Sequence, residues 1–394
     1  MLNEKAKALG YNRSTIRELF EYGRALKETL GDEHVFDFSL GNPSVTPPEI
    51  LTEALDSIIK NTDSVALHGY TSAEGAIGVR KAIAKRLREE YGAQCSHELI
   101  YMTAGAAAAL TSTIKAVSCS GESVIVLSPY FPEYKVFIEA ADAVCVPVSC
   151  RASDFRPDID AIASAIDEKT AAIIINSPNN PTGVVYTEED IKGIADLLSE
   201  KSREYSHPIY IIADEPYREL VYDGASVPFI PNYYANTVVC YSYSKSLSIP
   251  GDRIGYAMVP TNAECAMDIF RAICGAGRSL GFVCAPSLLQ KLIEKIDGET
   301  SDIDAYNQNR LLLLNELTEI GFEVAKPDGA FYLFVKSPSG DGRELSERAK
   351  KHGLLLVPSD DFGCRGYVRI AYCQSYGMIK RSLPVFRALM EEYK

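Results

Sequence analysis

Seven short apolar runs, spaced through the first two-thirds of the chain, limit the fold more than any other feature. They are residues 99–102 (LIYM), 123–127 (SVIVL), 144–148 (VCVPV), 171–175 (AAIII), 209–213 (IYIIA), 237–241 (TVVCY) and 254–258 (IGYAM). Most are continuous rather than alternating, as strands covered on both faces are. Longer stretches with helical patterning, such as 74–91 and 188–204, lie between them and provide the crossovers that parallel strands need. The expected fold class is therefore α/β, a mostly parallel seven-stranded sheet with helices on both faces. After about residue 285 the pattern changes. A long helix (about 301–320) precedes strands at 322–325 and 330–336, a helix near 343–352, strands at 354–357 and 367–372, and a last helix. Strand pairs with few intervening helices point to an α+β unit.

The chain has 394 residues and a net charge of −13. A nucleic-acid or anionic-membrane surface needs clustered positive charge, so neither is an expected partner, although an anionic small molecule in a locally positive pocket remains compatible. Ten cysteines are scattered from Cys95 to Cys373 with no CxxC pair, and the five histidines are dispersed. That pattern suits reduced thiols in a cytoplasmic protein, and no metal site is expected. The N-terminus mixes charges of both signs without an apolar signal core, and no run is long enough to span a bilayer.

In an open α/β sheet, ligands bind beyond the carboxyl ends of the strands, and the loops there are informative. In "IYMTAGAAAAL" Gly105 permits a tight turn and an alanine-rich helix follows. Its free N–H groups favour a phosphate, although packing explains most such starts. In "VIVLSPYFPEY" two prolines stiffen a turn that carries Tyr130 and Phe131, either to stack on a flat ligand or to cover the core. "IIINSPNNPTG" ends a strand with turn chemistry and offers Asn180 as a neutral donor. "PIYIIADEPYREL" puts Asp214 directly after a buried strand, where a carboxylate is costly unless paired; a helix cap is the simpler role. Finally "TVVCYSYSKSLSIPGDRIGY" crowds Lys245 among Ser242, Ser244, Ser246 and Ser248, with Arg253 beyond a Pro-Gly turn. A solvated loop lysine is the common case, but a desolvated amine has a lowered pKa and attacks carbonyls. An amine, a phosphate cup, an aromatic lid, a buried carboxylate and a phenol–amide pair together match one ligand, pyridoxal phosphate.

With these loops in order, the sequence resembles the class I/II aminotransferases, the fold-type I pyridoxal-phosphate enzymes. The resemblance rests on GNP (41–43), YTSAEGAIGVR (70–80), TAG (103–105), SPYFPEY (128–134), NNPTG (179–183), DEPY (214–217), SYSK (242–245) with Arg253, GAFY (329–332) and YVRIAY (367–372). It implies that Lys245 forms the Schiff base and carries the proton, that Asp214 pairs with the pyridine nitrogen, and that Asn180 and Tyr217 bond the ring oxygen. Tyr130 stacks on the ring. Backbone amides at Gly105 and Ala106, with Ser242, Ser244 and Arg253, hold the phosphate, which Tyr70 reaches from the other subunit of a homodimer. Arg369 binds the substrate carboxylate, helped by Asn180 and the backbone at Gly41. One departure stands out: Ala106 and Ala107 follow the glycine where many relatives carry a hydroxyl or amide. Each missing bond is worth about 1.5–3 kcal/mol to a charged group, which lowers cofactor affinity unless Ser244 compensates.

The implied reaction moves an amino group from an α-amino acid, aspartate being one candidate, to a 2-oxo acid by a ping-pong route. A lyase, decarboxylase or cyclising synthase on the same fold is the alternative. Arg278 is the candidate partner for a second substrate carboxylate, with a surface or interface salt bridge as the competing role. The expected domains are residues 45–290, holding the cofactor, and a smaller α+β domain made of 1–44 and 291–394.

Overall fold

The computed structural model describes residues 2–11 and 14–394. The seven apolar runs form one sheet: β1 (Ile100–Thr103), β2 (Ser123–Ser128), β3 (Val144–Ser149), β4 (Thr170–Asn176), β5 (Tyr210–Asp214), β6 (Thr237–Ser242) and β7 (Gly255–Met258). Its order is β1-β7-β6-β5-β4-β2-β3. The pairings from β6 across to β3 are parallel, and β7 runs antiparallel to both its neighbours. The continuous apolar runs conceal an alternation that the sheet makes visible. In β4, Ile173 and Ile175 join one buried cluster while Ala172 and Ile174 join the other. The first cluster includes Val79 and Ile83 of helix Ile77–Tyr91 and Leu292 of helix Ser287–Ile296. The second includes Leu110 and Ile114 of helix Ala106–Val117 and Ile273 of helix Ala266–Ser279. Both faces are thus covered, and each strand residue buries its side chain in one layer or the other. β3 is the exception because it lies at the edge. It is largely exposed or half-buried, and it tolerates Pro147 where a central strand would lose a ladder bond.

A second, four-stranded antiparallel sheet follows: β8 (Val324–Ala325), β9 (Tyr332–Lys336), β10 (Val357–Pro358) and β11 (Tyr367–Ala371), in the order β10-β11-β9-β8. Helices Ile303–Ile320 and Tyr376–Glu391 contribute Leu313, Leu317 and Phe386 to its core. The predicted strand at 354–357 is two short ones, because Leu354–Leu355 pairs with Phe36–Asp37 instead and only Val357–Pro358 enters the sheet. This parallel pair ties the N-terminal segment to the C-terminal third, and Phe36 and Phe38 share the same core. Helix Thr15–Leu30 packs nearby through Leu19 on Val357 and Phe362. All ten cysteines are free, and no cluster of metal-binding side chains occurs among the described residues. Among them also, no helix is long and apolar enough to cross a membrane.

Candidate active site

The register of the large sheet sets Asn176 at the end of β4 against Asp214 at the end of β5, and Asp214 against Cys240 of β6. A cavity of about 270 Å³ opens over these strand ends. Asp214 forms part of its wall and is buried. Its Oδ2 accepts a hydrogen bond from the Tyr134 hydroxyl at 2.5 Å, but its Oδ1 has no partner. Burial pushes the carboxyl up to about 7; Glu215 adds to the rise, and the Tyr134 bond opposes it. Asn176 fixes the surrounding backbone, since its Nδ2 donates to the Asp214 carbonyl at 2.9 Å and its Oδ1 accepts from the Asn180 amide at 2.8 Å.

Lys245 lies in a one-turn helix, Tyr243–Ser246, that starts at the end of β6. Ser242 caps this turn by accepting from the Ser244 amide. The Lys245 amine donates to the Gly41 carbonyl at 2.6 Å and sits 5.4 Å from the centre of the Phe331 ring. Enclosure by the cavity walls pushes the amine down to about 8. Cys373 opposes that fall, and the positive charges of Arg253 and Arg369 add to it. The chain therefore brings a weakly held ammonium and a carboxyl with an unpartnered oxygen to the same cavity.

A third group of donors sits beside Lys245. The Ser242 and Ser244 hydroxyls are 2.8 Å apart, and Arg253 Nη1 donates to Ser244 Oγ at 3.2 Å. Arg253 has a left-handed backbone (φ 56°), unusual for a long side chain, and its guanidinium is held by the Pro250 and Ala104 carbonyls. Gly105, at φ 84°, begins the helix Ala106–Val117; a Cβ there would come within 2.5 Å of Arg253 Nη2. No side chain caps this helix, so the amides of its first turn, at Ala106 and Ala107, are free to point at a ligand.

The second sheet supplies the opposite wall. Arg369 lies in the middle of β11, paired across the ladder with Phe334 and Val357. It is buried; Nη1 donates to Asn180 Oδ1 at 3.0 Å and Nη2 to the Ser39 carbonyl at 2.5 Å. The Tyr332 and Phe362 rings flank it at 4.7 and 5.2 Å. Tyr217 is buried, with its hydroxyl 2.8 Å from that of Tyr332. Gly41 passes so close to this pair that a Cβ on it would meet the Tyr332 hydroxyl at 2.2 Å.

Most of the residues singled out in the sequence meet here: Gly41, Ala106, Asn180, Asp214, Tyr217, Ser242, Ser244, Lys245, Arg253 and Arg369 line the cavity, with Gly105 directly behind Arg253. Three others lie away from it. Tyr130, expected to stack on a ligand, is a correction. Its amide donates to the Phe362 carbonyl and its ring packs beside Gly363, outside the cavity. Phe131, the next residue, takes the wall position, with Tyr134 edge-on to it at 5.6 Å. Tyr70 is 89% exposed and outside the cavity. Arg278 is exposed near the end of helix Ala266–Ser279, also outside the cavity. Sequence reasoning gave no site role to Asn176, Tyr134, Tyr332 or Ile16, all of which line it. The first three adjoin or lie within quoted motifs, whereas nothing around Ile16 marks it.

Residues 33–382 match the family model described as aminotransferase class I and II. A probable aspartate/prephenate aminotransferase of Thermus aquaticus is 30% identical over 382 residues, covering 93% of this chain and 94% of that protein. Among solved structures, an aminotransferase from Eubacterium rectale is 51% identical with a TM-score of 0.98, covering 100% of this chain and 99% of the other. The aspartate aminotransferase of Thermus thermophilus with maleate is 26% identical with a TM-score of 0.87, covering 99% of each chain.

Proposed function

The chain belongs to the class I and class II aminotransferases, and on that premise we propose that it moves the amino group of an α-amino acid to a 2-oxo acid, using pyridoxal phosphate bound between Lys245 and Asp214. The observation that carries this assignment is the unpartnered Oδ1 of buried Asp214 in the same cavity as an amine whose pKa falls to about 8. A protonated pyridine nitrogen would give that oxygen its missing donor. The hydroxyls of Ser242 and Ser244, the Arg253 guanidinium and the free amides at Ala106 and Ala107 suit a phosphate. Phe131 offers a flat face in the wall. When bound, the cofactor supplies an aldehyde for the amine and a ring that withdraws electrons from the carbon being deprotonated.

The protein's own groups divide the remaining work. Arg369 binds the α-carboxylate of either substrate with its planar fork, and Asn180 and the Ser39 carbonyl keep that fork aligned. Lys245 Nζ removes the proton from Cα of the donor and, in the second half-reaction, returns one to Cα of the new amino acid. A pKa near 8 leaves a useful neutral fraction at neutral pH. The Gly41 carbonyl anchors Nζ while it carries the proton. Tyr217, fixed by the Tyr332 hydroxyl, and Asn180, bonded to Arg369, would hold the ring oxygen. The proposal extends to a large domain of residues 45–290 with a smaller one from 1–44 and 291–394, and to a cytoplasmic homodimer. The exposed ring of Tyr70, free to reach a second copy's phosphate site, supports the dimer. The test is product analysis with donor and acceptor supplied singly and together. A 2-oxo acid formed catalytically only when both are present supports transfer. Ammonia or carbon dioxide released with the donor alone identifies a lyase or a decarboxylase.

A further inference from the structure

The cavity wall is uneven in charge. Among the described residues lining it, the cations are Lys245, Arg253 and Arg369. Each is already engaged: Lys245 with the Gly41 carbonyl, Arg253 with Ser244 and Ala104, Arg369 with Asn180 and Ser39. In the function proposed above they hold the amine, the phosphate and the α-carboxylate. The rest of the lining adds no cation; beside polar groups such as Asn176, Tyr134 and Tyr332, and apart from Phe131 beside the cofactor ring, it presents the apolar side chains Ile16, Leu40, Leu110 and Phe137. Ile16 is held in place there, because its helix packs through Leu19 on Val357 and Phe362 and Thr15 bonds the Asp361 carboxylate at 2.5 Å. Arg278, the one residue expected to answer a second carboxylate, lies outside this wall and exposed.

Resting on that function, we infer that the preferred donor is an α-amino acid with an uncharged, apolar side chain rather than a dicarboxylate, and that Ile16 helps to set this preference. A second carboxylate led into this wall would lose its water without gaining a cation, whereas an aliphatic or aromatic side chain gains by leaving water. The relatives named above as aspartate aminotransferases make this a departure rather than a carry-over.

The test uses binding as well as turnover. α-Methyl amino acids lack the Cα proton, so they occupy the site without being transaminated. Calorimetric titration of the holoenzyme with α-methylleucine, α-methylphenylalanine and α-methylaspartate reads preference even if the reaction class is wrong. We expect the apolar ligands to bind at least about tenfold more tightly than α-methylaspartate, and kcat/KM for leucine or phenylalanine to exceed that for aspartate by a similar factor. Ile16→Arg, shown to be folded by its melting curve, should bring the two classes within about threefold. Equal or tighter binding of α-methylaspartate to the unaltered enzyme overturns the inference. In that event Arg278→Ala tests whether a second copy supplies the cation responsible. Apolar preference in binding together with no transamination of any donor would uphold the side-chain preference of the site while removing the function, and with it the donor role.

Discussion

The carboxyl ends of β4 to β6 and the middle of β11 both deliver charge to one cavity, but they hold it in different states. At the strand ends the charges are weakly supported. Asp214 has one oxygen without a partner and burial pushes its carboxyl up to about 7, while burial pushes the Lys245 amine down to about 8. On β11, Arg369 donates through both Nη atoms and is flanked by aromatic rings. Burial lowers its pKa too, yet a guanidinium stays charged across the working range. One region can change protonation at neutral pH and the other cannot, which separates groups suited to chemistry from a group suited to grip. The two are joined through Asn180, which sits in the loop after β4 and bonds Arg369.

The largest expected effect breaks the first region. Lys245→Ala should lower turnover by about a thousandfold or more, since the proposed proton carrier would be gone; steady-state kinetics with a donor–acceptor pair check it. The same lysine sets a pH dependence. Only the neutral amine attacks an aldehyde, so cofactor uptake by the cofactor-free protein should accelerate as pH rises through about 8 and then level off. Stopped-flow absorbance across that range reads the midpoint.

Asp214→Asn should reduce turnover by about a hundredfold while stabilising the cofactor-free protein. The sign follows from linkage. The unfolded carboxyl loses its proton near about 4, whereas the folded one keeps it to about 7, so the folded state is penalised increasingly as pH rises between those values. The asparagine variant lacks that penalty, and its melting temperature should exceed the wild type's by a few degrees at pH 8 and by little at pH 4. Scanning calorimetry at both pH values provides the comparison. A wild-type protein more stable than the variant at pH 8 would mean that Asp214 has a partner after all.

Arg369→Lys tests the second region. It keeps the charge and loses the fork, so KM for both donor and acceptor should rise about tenfold with kcat nearly retained. A fall in kcat with KM unchanged would give Arg369 a part in the chemistry and erase the contrast. The smallest effect is expected from Tyr134→Phe. The lost bond favours the ionised form of Asp214, so its removal should raise the Asp214 pKa further. The acidic limb of the pH–rate profile should move upward, with turnover at neutral pH falling about threefold to tenfold.

The same contrast explains what the sequence made legible. Groups at the strand ends are read easily because each follows an apolar run within a few residues, and strand order then places them together. Asp214 and Lys245 were visible in this way, whereas Arg253 stood out by lying past a Pro-Gly turn directly before the next run. Tyr130 was misplaced by one residue because a stiff Ser-Pro-Tyr-Phe turn presents two adjacent rings, and only the backbone path, fixed by the Tyr130 amide on the Phe362 carbonyl, decides which one faces inward. Tyr134, in helix Glu133–Ala140, was missed because its partner is eighty residues away at the end of β5. Ile16 carries no chemical signal, and its importance comes from the packing of a separate helix over the cavity. The division of the 354–357 strand likewise depends on a partner at Phe36–Asp37 that no local pattern announces.

The account depends on one ligand lying between Nζ of Lys245 and the free oxygen of Asp214. Borohydride reduction of the holoenzyme, followed by peptide mapping with mass spectrometry, tests this directly. A pyridoxyl phosphate adduct on the peptide carrying Lys245, lost in Lys245→Ala, is the predicted result. An adduct on another lysine, or none from a protein that still transaminates, would contradict it.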